Sequence, residues 1–238
     1  GVAFEFREVP GARKRFWDTG FVLGSLGATL SQGIVLGNFI QGFEIEGRQF
    51  VGTSWDWIAP FPLLTGVGLV FGYLLLGACW LVLKTTGELQ QWSRRVAARV
   101  LWGVLAFIAL MSVWTPLTDA RIAERWFSFP NLIYFSPVPL LTVGLAALLL
   151  KSLRRGDELL PFLCAFGLFL LAFTGLVISL WPLIAPPSIT LWDAAASPRA
   201  LGFLLVGTLF LLPVLILYVV WSYWVFRGKV RADIGYHA

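Results

Sequence analysis

The chain has 238 residues, of which 58% are hydrophobic and only 13% charged, with a mean hydropathy of +0.80. Soluble domains carry about 25% charged residues, so this composition excludes an ordinary globular protein of the aqueous phase. The formal charge of +5 reflects where the cations lie along the chain, as shown below, and carries no signal for nucleic-acid binding.

Six apolar stretches run over about 21–43, 58–83, 96–114, 132–150, 159–184 and 201–226. Each approaches or exceeds the roughly 20 residues that a helix needs to cross a hydrocarbon core of about 30 Å. The sequence therefore predicts an all-α polytopic membrane bundle with six transmembrane helices in a single membrane domain. The 18 Lys and Arg divide unevenly between the connecting segments. Arg7, Arg13, Lys14, Arg15, Lys84, Arg94, Arg95, Arg99, Lys151, Arg154, Arg155, Arg227, Lys229 and Arg231 fall on one side of the alternation. Only Arg48, Arg121, Arg125 and Arg199 fall on the other. The positive-inside rule makes the first set cytoplasmic, with both termini of the chain inside. Gly1 is not an initiator methionine, and residues 1–17 read as a basic loop caught in mid-course. The expectation is a chain preceded by an even number of further helices.

Taken in order, the first span is the least lipid-like. Gly20, Gly24, Gly27, Ser31 and Asn38 share one narrow helical face, and Ser25, Thr29 and Gln32 form a second stripe. Small residues permit close helix approach in lipid, and polar side chains bond across the contact. The first helix is therefore expected to lie between neighbours, and Gly24→Leu to disrupt its packing. Asn38 and Gln41 read as packing residues, with contact to a quinone or a proton path as the sharper alternative. Trp55, Asp56 and Trp57 lead into the second span, whose Pro60 and Pro62 suit an opening helical turn. Asp119, Arg121, Glu124 and Arg125 form a short mixed-charge segment, expected to make solvated pairs worth little. Pro137 and Pro139 imply a kink or a late start of regular helix in the fourth span. Trp181, Pro182, Pro186 and Pro187 close the fifth, and Pro213 interrupts the sixth. Tyr218, Trp221, Tyr223 and Trp224 crowd the end of the sixth span and read as an interfacial anchor, with a quinone headgroup site as the alternative.

The inventory of chemistry-bearing side chains is short. His237 is the single histidine and Met111 the single methionine, so a haem held at membrane depth has almost no candidate ligand. Cys79 and Cys164 lie within apolar spans without metal-ligand spacing and read as small buried hydrophobes. No carboxylate sits at the centre of a span, which removes the usual element of a proton relay or ion-coupled carrier. By elimination the chain is a scaffold or interface subunit, or a carrier working through neutral contacts.

Several runs carry a family likeness. GVAFEFR at 1–7, FWD at 16–18, GNFIQG at 37–42, PSITLWDAA at 187–195 and LYVVWSYWVFRGKV at 217–230 occur in the order found in subunit II of the cytochrome bd-type quinol oxidases. The chain resembles that family nearly from end to end. The resemblance implies an eight-helix subunit of two four-helix bundles in the bacterial inner membrane, paired with a haem-bearing subunit I. The holoenzyme oxidises ubiquinol or menaquinol and reduces oxygen to water, taking protons from the cytoplasm. Haems and the quinol-oxidising loop belong to subunit I, while subunit II of some members holds a structural quinone. About the first quarter of the family pattern, with two helices, is missing here, and the family's acidic proton-entry residues lie in it. The resemblance transfers roles in packing and loop ordering, not catalysis, to Trp17, Asp18, Asn38, Gln41, Trp192 and Asp193. Gly24, Gly37, Trp221 and Trp224 complete the set of candidate packing and interface residues. No catalytic, cofactor-binding or metal-binding residue is expected in the chain. The alternative from another class is a six-helix small-solute transporter, which should show broken helices, a polar midplane site or an internal repeat.

Overall fold

The structure, a computed structural model, describes residues 6–7, 13–46 and 49–230. Arg48, Arg231, His237 and most of the run at 1–7 lie outside the described residues. Helix α1 (Lys14–Gln41) leads through a two-stranded ribbon, β1 (Ile45–Glu46) with β2 (Gln49–Phe50), to α2 (Pro60–Lys84). Next come α3 (Gly87–Thr118), the short α4 (Ala120–Phe127) and α5 (Asn131–Phe135), then α6 (Pro137–Arg155) and α7 (Leu159–Leu180). A second ribbon, β3 (Leu183–Ala185) with β4 (Ile189–Thr190), precedes the one-turn α8 (Leu191–Ala194) and the long α9 (Pro198–Val225). Six helical stretches are long and apolar enough to span a membrane, α5 and α6 forming one of them. The chain is an all-α polytopic membrane bundle.

The helices depart from the apolar stretches for identifiable reasons. Helix α3 starts nine residues before the apolar run at 96, because Ser93 and Arg94 satisfy themselves against backbone carbonyls and let the polar turns stay helical. Regular helix in the fourth span starts late, as the prolines require, with Pro137 at the first position of α6. The fifth span ends at Leu180 rather than 184, since Pro182 cannot continue the ladder and its neighbours enter β3.

The core is a quartet formed by α2, α3, α6 and α7. Leu75, Cys79 and Val82 of α2 meet Ala97 and Leu101 of α3, Leu149 of α6, and Cys164, Ala165 and Leu168 of α7, all essentially inaccessible. The small residues let the axes approach, and the leucines fill the space between them. In lipid this cohesion comes from close packing rather than from expelling water. Both cysteines are buried free thiols, as their apolar setting suggested. Ser93 and Ser152, also buried, return their hydroxyls to the carbonyls of Leu89 and Leu149 at 2.8 Å. Those bonds make a polar atom tolerable there.

Helices α1 and α9 lie outside the quartet. Helix α1 packs chiefly along α2, with a minor contact to α3, so among the described residues it is not enclosed between neighbours. A Cβ at Gly33 would fall 2.5 Å from the Gly66 Cα, and one at Gly37 2.5 Å from the Pro62 Cα. Nothing lies within 4 Å of such an atom at Gly20, Gly24 or Gly27. The close approach is thus made by a third face, with glycines four apart on α1 opposing Pro62 and Gly66 four apart on α2. From the polar stripe, Gln32 accepts a hydrogen bond from the Tyr73 hydroxyl at 3.3 Å across the same helix pair. Helix α9 has no buried residue along its whole length and is tied to the bundle at its basic end.

Candidate interface and loop-ordering residues

Two polar layers bracket the apolar slab, and the candidate residues fall mainly within them. At the basic end, Trp17 and Asp18 lie in the first turns of α1. The Trp17 ring stacks on Phe6 with centroids 5.3 Å apart, and Asp18 accepts from the Arg7 Nε at 2.6 Å. Two segments of the family pattern thereby meet in space. Both partners are well exposed, so the ion pair itself is worth only about 0–1 kcal/mol.

The same end contains a network that the sequence did not single out. Helix α6 stops at Gly156, whose φ of +89° is the left-handed value that favours glycine at a helix end. Its open carbonyls are collected by one guanidinium. Arg94 of α3 donates to the carbonyls of Gly156 at 2.6 Å, Asp157 at 2.8 Å and Leu153 at 3.5 Å. A cation at a helix C-terminus also complements its dipole. Glu158 accepts from Gln90 at 3.0 Å and from Lys229, and these bonds, that of Lys229 foremost, hold its carboxyl below the ordinary range.

Lys84, the last residue of α2, donates to the carbonyls of Phe226 at 2.6 Å and Gly228 at 3.3 Å, while its own carbonyl accepts from the Val230 N–H at 2.8 Å. Trp80 packs edge-on against Tyr223 with centroids 5.9 Å apart. These contacts hold the basic end of α9. Trp221 and Trp224 pack on each other at 5.6 Å, with the Arg227 guanidinium 4.7 Å from the Trp224 ring centroid. Both indoles remain largely exposed, an arrangement suited to an interface belt.

At the opposite end, α1 finishes with Gly37, Asn38 and Gln41. Gly37 is the close-contact residue described above. Asn38 is half-buried, and its carbonyl accepts from the Gly42 N–H at 3.0 Å; Gln41 is exposed. Gly42 has φ +91° and lies beside Pro186, whose carbonyl accepts from the Phe43 N–H at 2.9 Å. The end of the GNFIQG run is thereby bonded to the loop that opens the PSITLWDAA run.

Within that second run Thr190 and Asp193 form a reciprocal capping box. The Thr190 N–H and hydroxyl donate to the Asp193 carboxylate at 3.1 and 2.5 Å, and the Asp193 N–H donates to the Thr190 oxygen at 3.2 Å. Trp192 sits edge-on to Trp181 at 5.9 Å. Asp193 is therefore bonded to Thr190 within that loop through its carboxylate and its N–H. Gly24 stands apart from both layers, with no other element among the described residues within 4 Å of a Cβ placed there.

The mixed-charge segment departs in part from expectation. Arg125 turns from Glu124 to donate to the carbonyls of Ile178, at 3.0 Å, and Trp181, at the C-terminus of α7. Arg121 grips Asp119 through both carboxylate oxygens and donates to the Pro187 carbonyl at 2.9 Å. Trp126 Nε1 adds a bond to the Ser179 hydroxyl at 2.9 Å. Arg121, Arg125 and Trp126 fasten α4 to the end of α7 and the loop after it, while the Arg121–Asp119 pair itself stays solvent-exposed, as expected. Unpaired carbonyls at a helix end are the signal that would have pointed to them.

The Asp193 carboxyl is held below the ordinary range, first by the Thr190 hydroxyl and then by its N–H. A lowered native pKa means stability that is complete above the ordinary carboxylate range and is lost as pH falls through the native value. Protection of the Asp193 amide, relative to an unstructured amide at the same pH, should therefore fall only on acidification below that range. Asp193→Asn should exchange faster at neutral pH as well. An unchanged exchange rate in the variant would show that the box does not hold the loop.

Among the described residues no group of three or more His, Cys, Asp or Glu converges to hold a metal ion. Met111 lies 3.9 Å from the Thr65 hydroxyl and has no second haem-ligand type beside it among those residues.

Comparison with known proteins accounts for this arrangement of ordered loops around a site-poor helical slab. Residues 1–226 match the family described as Cytochrome bd terminal oxidase subunit II. The chain is similar to Cytochrome bd-I ubiquinol oxidase subunit 2 of Escherichia coli (strain K12), 28% identical over 98% of this chain and 71% of the relative. Cytochrome bd ubiquinol oxidase subunit 2 of Bacillus subtilis (strain 168) is also 28% identical, over 97% and 69%. Probable cytochrome oxidase subunit 2 of Haemophilus influenzae is 25% identical, over 91% and 66%. With the match running through the whole of the last helix, the chain belongs to the cytochrome bd terminal oxidase subunit II family.

Proposed function

We propose that this chain is the non-haem subunit of a bacterial cytochrome bd-type oxidase that oxidises quinol and reduces oxygen to water. In this reading it supports a haem-bearing subunit I and the complex's proton uptake, and contributes no catalytic residue of its own. It sits in the plasma membrane as a single domain with its basic end cytoplasmic. The family match over residues 1–226 carries the reading.

Two features of the chain support it. With one histidine and one methionine in its sequence the chain offers few haem ligands, which suits haems held by a neighbour. The polar side chains are used within the end layers to order loops rather than to line a cavity, which suits a scaffold. Trp17, Asp18, Asn38, Gln41, Trp192 and Asp193 then act by holding loops and helix ends, and Trp221 and Trp224 by fixing depth. The transporter alternative runs against the family membership.

A reduced-minus-oxidised spectrum, recorded on the chain purified alone and on the chain co-purified from its native membrane, tests the proposal. Haem bands and quinol oxidase activity are expected only in the co-purified sample, together with a larger haem protein. Haem bound by the chain alone would overturn the ligand assignment. A haem-free native preparation lacking any such partner would favour the transporter.

A further inference from the structure

Helix α3 presents a polar–aromatic patch that neither the loop layers nor the quartet uses. Trp92, Arg95, Arg99 and Trp102 share one face, at spacings of three and four. That face is opposite Ser93, Ala97, Leu101 and Val104, the residues α3 buries in the quartet. Trp92 and Trp102 are 52% and 63% exposed, and both arginines are exposed. Neither arginine has an ion-pair or hydrogen-bond partner among the described residues, unlike Arg94 beside them.

Depth is set by that neighbour. Arg94 bonds the turn at Gly156 and Asp157 between α6 and α7, so it marks the rim of the slab. Arg95 lies at the same level, and Arg99 sits about 6 Å further in along the axis. An arginine there extends its stem along apolar surface and brings its charge out to the headgroup layer. Beyond it the same face becomes wholly apolar through Ala106, Leu110 and Val113, all exposed. Two unpaired guanidiniums at headgroup level, bracketed by indoles and followed by an apolar track, match an anionic phospholipid in charge and in length. The phosphate diester meets the guanidinium forks, and the acyl chains follow the track. A free phosphate would use only the first part of this surface.

We infer that the outer face of α3 is a binding site for an anionic phospholipid, with Arg95 and Arg99 as phosphate ligands and Trp92 and Trp102 as flanking anchors. The inference is independent of the proposed function, since it rests on the surface of this chain.

Native mass spectrometry of the detergent-solubilised native complex, titrated with phosphatidylglycerol and separately with phosphatidylcholine, tests it. R95Q/R99Q should weaken phosphatidylglycerol binding about tenfold, as expected for two lost cation–headgroup contacts, and leave phosphatidylcholine unchanged. R95K/R99K should keep most of the affinity. This pair, with the single glutamine variants, keeps the test readable if the double glutamine variant fails to assemble. R154Q/R155Q, which removes two exposed cations from the end of α6, should have little effect. An equal loss in R154Q/R155Q would mean nonspecific charge attraction and overturn the site. So would no loss in R95Q/R99Q, displacement of the lipid by inorganic phosphate, or a protein chain cross-linked across this face of α3.

Discussion

Replacing Gly33 by leucine is expected to separate α1 from α2, at a cost of about 3 kcal/mol or more from overpacking. The added Cβ would meet the Gly66 Cα at 2.5 Å, the Thr65 carbonyl oxygen at 3.0 Å and the Gly66 nitrogen at 3.1 Å. These are backbone atoms, so no rotamer change can make room. Even Gly33→Ala places its methyl against the same atoms, and Gly37→Leu meets Pro62 and Thr65 in the same manner. Gly24→Leu should behave differently, because nothing in the chain lies within 4 Å of that position. Thermal unfolding of the detergent-purified protein distinguishes them: a lowered midpoint for the Gly33 variants and an unchanged one for Gly24→Leu. Equal midpoints would mean that α1 is not held through these glycines. Loss of complex assembly in Gly24→Leu, with its own fold intact, would report a contact made outside the chain.

Arg94→Met is expected to lower stability by about 2 kcal/mol, the scale of hydrogen bonds from a charged group. The substitution keeps much of the apolar stem but removes every donor to the carbonyls of Leu153, Gly156 and Asp157. Water reaches this end of the bundle and replaces part of the loss, which keeps the cost well below that of an orphaned carbonyl in hydrocarbon. Arg94→Lys should recover less than half, since a single ammonium cannot span three carbonyls on successive turns. Unfolding in a denaturing-detergent titration measures both. Full recovery by lysine would mean that charge near the helix end, rather than the guanidinium fork, does the work. Because Gln90 and Glu158 share this layer, and Glu158 also accepts from Lys229, Arg94 and Lys229 variants should combine non-additively.

Membrane helices are legible in sequence because the requirement for length and apolarity acts on each span separately. The six spans, the late start of α6 at Pro137 and the stop of α7 before Pro182 follow from local composition and from what proline does to a helix. The family likeness was equally legible, since its runs are contiguous. What the runs do is another matter. That Phe6 stacks on Trp17 and Arg7 bonds Asp18 required a chain reversal, and the bond from Phe43 to Pro186 joins residues far apart in sequence. Arg94, Arg121 and Arg125 look alike as cations in a loop tally, yet each bonds open backbone carbonyls of a distant segment.

The first helix shows the same division. Its many small residues announced close packing, and the Gly33–Gly37 spacing was present in the sequence, but three faces of α1 carry small or polar residues. Only the position of α2 selected one of them. The amino-acid sequence by itself determined the class, the number and approximate limits of the spans, the distribution of charge between alternate loops, and the family. The tertiary structure decided which face of each helix is covered and which cation caps which helix end. Among the described residues it also left Arg95 and Arg99 without partners while Arg94 beside them was bonded. The physical reason is that hydropathy and helix length are sums over neighbouring residues, whereas a contact in lipid depends on the shape of a surface supplied by another part of the chain.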